Sequence, residues 1–127
     1  MITLLPLEDN YVIYQVADYK DIPSEIFKSG FYSITKTDEE ISIVSNCTVL
    51  SGDIKSSKGW KGFRVEGILD FSLVGIINEI TAPLKENKIS VFVISTFNTD
   101  YIFVKEESFN KAIEVFKNGN SIVLKDI

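Results

Sequence analysis

The sequence predicts an α+β fold: tandem ferredoxin-like modules of β-α-β-β-α-β order, with antiparallel sheets and helices on one face. Three observations predict it. The second half alternates strand-type and helix-type periodicity in that order, its helical stretches carry one apolar stripe each, and one of its hairpins has a counterpart in the first half. A four-stranded sheet with helices on one face leaves the other face to be covered, and the first half is the available cover. The expected modules are therefore residues 1–58, a degenerate N-terminal copy, and residues 59–127.

In the first half, alternation of apolar and polar residues places strands at Ile2–Leu7, Tyr11–Ala17, Phe31–Thr37 and Glu40–Ser45, with a short helix at Pro23–Lys28. Ser51–Gly59, rich in glycine and serine and without strong periodicity, reads as the connection between halves. Trp60–Glu66 follows as a short strand, with Phe63 and Val65 on one face and Arg64 and Glu66 on the other. From Asp70 to Asn87, Leu73, Ile76, Ile77, Ile80 and Leu84 recur at three- and four-residue steps and make one face of a helix. Pro83 should kink it or break its last turn, because proline withholds a hydrogen bond and crowds the carbonyl of Glu79.

Ile89–Ser95 is β-branched and nearly continuously apolar, as in a strand covered on both faces. Phe97-Asn98-Thr99-Asp100 supplies turn chemistry, and Tyr101–Val104 returns as a strand. Phe109, Ala112, Ile113 and Phe116 fit an amphipathic helix, with Glu106 and Glu107 at its start, Lys117 in its last turn and Gly119 as its cap. Ser121–Leu124 is the last strand. Laid without gaps on Val91–Val104, the segment Phe31–Val44 sets Ile34 on Ile94, Thr35 on Ser95, Ile43 on Phe103 and Val44 on Val104, which suggests a duplicated hairpin. The match is short and mostly apolar, so generic hairpin composition accounts for it as well.

Composition narrows the function. The chain has one cysteine, Cys47, and no histidine, which excludes an intrachain disulfide, a zinc site of the usual type and histidine-based catalysis. A net charge of −5 with scattered lysines argues against nucleic acid. Apolar runs such as Leu73–Ile77 fall short of the roughly 20 residues that cross a bilayer. Met1–Leu5 lacks a basic leader, and Glu8 and Asp9 follow, so a cytoplasmic protein is expected. The acidic residues show no paired spacing for acid–base work and read as a solvated face.

The segments Gly59-Trp60-Lys61-Gly62-Phe63-Arg64-Val65, Leu69-Asp70-Phe71-Ser72-Leu73-Val74-Gly75, Ala82-Pro83-Leu84 and Ile89 through Tyr101 together resemble the CASTOR-like ACT family, including its small bacterial members with two ACT-like modules. The likeness is strong from Trp60 to Glu106 and weaker in the first half, where Leu4-Leu5-Pro6 and Phe31–Thr37 fit the family's opening. The resemblance implies a regulatory ACT fold, amino-acid binding in some relatives, and pairing of modules within or between chains, hence an expected homodimer; together with the composition it leads to the expectation of no catalytic activity, cofactor or metal. It also implies an effector site at a module interface, between the loop after the first strand and a neighbouring second strand. Carried onto this chain, that site comprises Leu69, Asp70, Phe71 and Ser72 on one side, and Ile94, Ser95, Thr96, Phe97, Asn98, Thr99 and Asp100 on the other.

A free amino acid needs N–H donors for its carboxylate and acceptors for its ammonium. Amides at the start of the first helix suit the carboxylate, and Asp70 or Asp100 suits the ammonium. Each residue also has a plainer use. Asp70 or Ser72 caps the helix, Asn98, Thr99 and Asp100 are ordinary turn residues, and Phe71 and Phe97 pack in a core or interface. Arg64, the only arginine, suits an ion pair, Trp60 suits packing at the join, and Cys47 suits a small buried apolar position.

Two other classes compete with the sensor. Acylphosphatases share the element order but bind phosphate in a glycine-rich loop with an arginine, whereas Gly67-Ile68-Leu69-Asp70 offers one glycine and an acid that repels phosphate. The second rival is a structural or protein-interaction module whose sheet edges pair two copies and bind no ligand.

Overall fold

The computed structural model describes residues 1–50, 52–67 and 74–125. The chain forms two compact units, one of Met1–Glu8 with Lys61–Ile127 and the other of Asp9–Trp60.

The discontinuous unit contains β1 (Ile2–Pro6), the last part of β5 (Lys55–Val65), α2 (Ile76–Glu86), β6 (Val91–Ser95), β7 (Asp100–Lys105), α3 (Phe109–Asn118) and β8 (Ile122–Leu124). Its strands lie in the order β6-β7-β5-β1-β8. Ile2, Leu4, Phe63, Val65, Ile102 and Val104 turn one sheet face toward Ile80, Leu84, Ala112 and Phe116 of the helices, as the two periodicities predict. On the other face Phe92 stacks on Phe103, its partner across the β6–β7 ladder, with ring centroids 4.7 Å apart. Gly62 lies against that ring. A Cβ there would stand 2.9 Å from Phe103 and 3.2 Å from Leu7, so the close approach requires glycine.

Two expectations are corrected in this unit. The sheet is mixed and not purely antiparallel, because β1 runs antiparallel to β5 (Leu4↔Val65) and parallel to β8 (Ile2↔Ile122). The expected 1–58 module also included β1, which instead stands between β5 and β8. A lone β-α-β-β-α-β chain lays its last strand on its first, and here β1 is inserted between those two. Its backbone is engaged on both sides: Glu66 N–H donates to Thr3 O and Lys125 N–H to Leu4 O, each at 2.9 Å.

The helix expected from Asp70 is described from Ile76, after Gly75 in the left-handed region at φ 84°. Pro83 is accommodated near its end, where the helix closes at Asn87. Lys88, at φ 60°, donates to Lys85 O, and Ile89 N–H donates to Leu84 O at 2.9 Å, with both Ile89 and Leu84 buried. This is a Schellman closure with its apolar contact, made without glycine. Gly119 does follow α3, but with an extended backbone that any residue could adopt.

The continuous unit holds β2 (Tyr11–Val16), a turn of 3-10 helix (Tyr19–Asp21), α1 (Ser24–Phe27), β3 (Tyr32–Lys36), β4 (Ile41–Ser45) and the first part of β5. Its antiparallel strands are ordered β3-β4-β2-β5. Val12, Tyr14, Val16, Ile26, Ile41 and Ile43 form its core. The Tyr14 hydroxyl donates to Cys47 O at 2.7 Å, and burial, with a smaller contribution from Cys47, raises the Tyr14 pKa above its ordinary value.

Ser51–Gly59 is not simply a connection, since β5 begins at Lys55 and pairs Lys55–Ser57 with Gln15–Ile13. Backbone pairing with β2 makes this polar stretch a strand without help from apolar side chains. Register shifts by one residue between Ile13↔Ser57 and Tyr11↔Trp60, and Gly59 takes φ 81° within the resulting bulge.

The duplicated hairpin is corrected by one residue. Thr37 N–H donates to Glu40 O in the β3–β4 turn, and Thr96 N–H donates to Thr99 O in the β6–β7 turn. Matching those turns sets Ile43 on Ile102 and Val44 on Phe103, not Ile43 on Phe103. The apolar match was blind to this slip, which exchanges the two faces. In both turns the first threonine's hydroxyl accepts a backbone N–H, from Glu39 and Glu40 in one and from Thr99 in the other.

Candidate functional site

Leu69, Asp70, Phe71 and Ser72 lie outside the described residues. The other side of the expected site is the β6–β7 turn, and its residues divide into two sets. Ser95, Thr96, Phe97 and Asn98 are exposed, with Phe97 at 80%. Ile94 and Asp100 are half-buried at the adjoining strand ends, in the pairs Ile94↔Tyr101 and Ser95↔Asp100.

Thr99 is different, being only 5% exposed. Its hydroxyl donates to Val65 O at 2.7 Å, a link across 34 positions of the chain. Its backbone is held as well, because the Thr96 hydroxyl donates to Thr99 O at 2.9 Å. Thr99 therefore anchors the turn to the end of β5, two residues before the chain passes Gly67. A buried threonine hydroxyl committed to a carbonyl positions its neighbours and is not free to hold a ligand.

Near this anchor, Glu66 pairs with Lys125. Arg64 lies on the opposite strand face from Phe63 and Val65, in register with Leu5. The exposed turn offers the hydroxyl of Ser95 and the amide of Asn98, groups that can donate or accept, with the Asp100 carboxylate beside them, while the Thr96 hydroxyl is engaged within the turn. Such a set suits a small polar solute. Among the described residues, no group of three or more His, Cys, Asp or Glu side chains could hold a metal ion, and no helix is long and apolar enough to cross a membrane.

The concavities among the described residues were not anticipated. An open groove of about 730 Å³ runs between the C-terminal half of α2 and the start of β6, lined by Thr81, Lys85, Lys88 and Ser90 among others. A smaller one of about 240 Å³ lies beside Tyr14, Leu50, Asp53 and Lys58 in the other unit. The first is built by neighbouring residues of the 78–91 stretch, where α2 turns into β6, and the second where the 48–58 stretch meets Tyr14 of β2.

A family described as "ACT domain" matches residues 55–118, and a second, described as an N-terminal domain, matches residues 9–51. The human cytosolic arginine sensor for mTORC1 subunit 1 is 39% identical over 67 residues, covering 50% of this chain and 20% of that protein. The Mus musculus counterpart is 32% identical over 111 residues, covering 76% and 34%. The chain thus spans about a third or less of the length of these curated relatives.

Among solved structures, protein Atu0741 from Agrobacterium tumefaciens superposes with a TM-score of 0.85 at 33% identity, covering 99% of this chain and 95% of that one. The regulatory subunit of aspartate kinase from Thermus thermophilus gives a TM-score of 0.57 at 7% identity, covering 84% and 90%, which is a likeness of fold alone.

Proposed function

The chain belongs to the ACT-domain family, and on that premise we propose that it is a non-catalytic regulatory protein that binds an amino acid. The observation that carries the reading is the Thr99–Val65 hydrogen bond, which fastens an exposed polar turn beside the β5 end from which residues 68–73 depart. The proposed ligand-binding set is Leu69, Asp70, Phe71 and Ser72 with Ile94 through Asp100, Thr99 serving as the anchor. Asp70 takes the ammonium, and amides of the 69–72 segment take the carboxylate.

Arginine is the first ligand to try, because the curated relatives are named as arginine sensors. Those relatives are also named cytosolic, which supports a cytosolic site of action. We read the chain as a CASTOR-like protein of two ACT-like modules, Asp9–Trp60 being one and Met1–Glu8 with Lys61–Ile127 the other, and as a homodimer joined through those modules.

A thermal-shift screen against the standard amino acids tests the ligand. A ligand at a hundred times its Kd adds about 2.7 kcal/mol to folded-state stability, or roughly 8–15 °C for a domain of this size. No shift with any amino acid at millimolar concentration would favour the alternative reading, an oligomerisation or interaction module without a ligand. With a ligand in hand, Asp70→Ala should weaken binding, and unchanged affinity would dismiss the assigned site.

A further inference from the structure

We propose a second ligand site, in the continuous unit: the concavity beside the connection from β4 to β5 takes a free α-amino acid with a small aliphatic side chain. This site is separate from the one at the β6–β7 turn and does not rest on it.

The space exists because this unit lacks a helix. The ladder from Tyr32↔Ser45 to Lys36↔Ile41 repeats that from Val91↔Val104 to Ser95↔Asp100, so β4 is the counterpart of β7. After β7 the chain forms α3, whose Ala112 and Phe116 are buried in the core of their unit. After β4 the connection spans only 46–54 and holds no helix among its described residues. Cys47, Leu50 and Ile54 cover the core in its place and are only partly buried. The concavity of about 240 Å³ lies among these residues, with Tyr14 of β2 in its wall. That is below the roughly 300–1,000 Å³ of pockets that hold drug-sized ligands, so it selects a smaller solute.

Strand parity brings the polar groups together. Ser56 pairs with Tyr14 and shares its face, and Lys58 returns to that face after Ser57, which pairs with Ile13. Asp53 comes from the connection. The Tyr14 hydroxyl donates its proton to Cys47 O, which leaves its oxygen able to accept. Among the described residues neither the Asp53 carboxylate nor the Lys58 ammonium is engaged in a hydrogen bond or an ion pair, although both line the same space.

An unpaired anion and an unpaired cation in one small space complement a zwitterion. Asp53 accepts from the ligand's ammonium, and Lys58 donates to its carboxylate. A lone anion would meet Asp53 and a lone cation Lys58, so each is repelled by the group it does not pair with. Val49, Leu50 and Ile54 offer apolar surface to the side chain. With both charges committed to the zwitterion, no described lining group remains to pair a charged side chain, and this separates the site from one for arginine.

The test is titration of the isotopically labelled whole chain with L-valine, followed by amide NMR. Isobutylamine, which lacks the carboxylate, and isovalerate, which lacks the ammonium, are the controls. Saturable shifts at Tyr14 and residues 47–58 are expected with valine and with neither control. Asp53→Asn and Lys58→Gln should each raise the dissociation constant at least about tenfold. The melting temperature of the ligand-free protein should not change in either variant, because both side chains are exposed.

No shift at 47–58 with L-valine at millimolar concentration, equal binding of either control, or unchanged affinity in either variant would overturn the proposal. Shifts at 68–73 and 94–100 alone would overturn it and leave the β6–β7 reading in place. Shifts at 47–58 that persist in Asp70→Ala, with none at 94–100, would support this site and count against the other.

Discussion

Replacing Thr99 by valine keeps the side chain's shape and removes its hydroxyl, which isolates the hydrogen bond to Val65 O. That bond is 2.7 Å long and its donor residue is 5% exposed, so the carbonyl loses this donor where water does not readily replace it. A buried acceptor stripped of its donor costs about 1–3 kcal/mol. The valine methyl recovers a little, so we expect a loss of about 1–2 kcal/mol in urea unfolding, read as a lower midpoint at unchanged slope. Thr99→Ser keeps the hydroxyl and should lose less than half as much, whereas Thr99→Ala adds a small cavity and should lose most. If a ligand is found, Thr99→Val should weaken it through loosening of the turn, while Asp70→Ala weakens it without destabilising the fold comparably. A Thr99→Val protein as stable as the parent, or a serine variant as unstable as valine, would refute the anchor.

Three further outcomes follow from the packing. Gly62→Ala sets a Cβ against Phe103, whose ring is held by Phe92, and should destabilise by about 1–3 kcal/mol in the same assay; a neutral variant would mean the ring moves freely. Lys88→Gly relieves a left-handed non-glycine residue and should stabilise by up to about 1 kcal/mol, checked by thermal melting. Tyr14→Phe should cost about 1 kcal/mol at neutral pH. Because the folded Tyr14 pKa is raised, its proton is retained after the unfolded chain has lost it, so parent stability falls as pH rises beyond the ordinary tyrosine value. The phenylalanine variant should lack that part of the alkaline decline, and identical pH profiles would contradict it.

Much of this fold is legible locally. The stripe of Phe109, Ala112, Ile113 and Phe116 declares its period and its buried face, whereas the continuous apolar run of β6 suggested a strand covered on both faces and instead is half-buried, paired among the described residues with β7 alone. Strand partnership is not declared in this way. Ile2 and Leu4 announce a face for β1, but nothing local says that its neighbours are β5 and β8. Likewise Lys55–Ser57 carries no apolar signal, because its strand conformation comes from the β2 backbone. The hairpin repeat misled by one residue since superposed valines and isoleucines tolerate a slip, whereas the turn threonines Thr37 and Thr96 do not.

For the site, turn chemistry placed Ser95 through Asp100 on one hairpin, but composition alone could not separate exposed Asn98 from buried Thr99. That distinction depends on Val65, far away in sequence. The groove beside Lys85 and Lys88 and the concavity beside Tyr14 were equally invisible, being made only where α2 turns into β6 and where the 48–58 stretch meets β2.

The central claim is that an amino acid binds between the residues after β5 and the β6–β7 turn. Titration of isotopically labelled protein with the amino acid that gives the largest thermal shift, arginine being first, followed by amide NMR, tests this most directly. Saturable shifts concentrated at residues 68–73 and 94–100, lost in Asp70→Ala, are the expected result. Saturable shifts confined to the α2–β6 groove, or none with any amino acid at millimolar concentration, would contradict it.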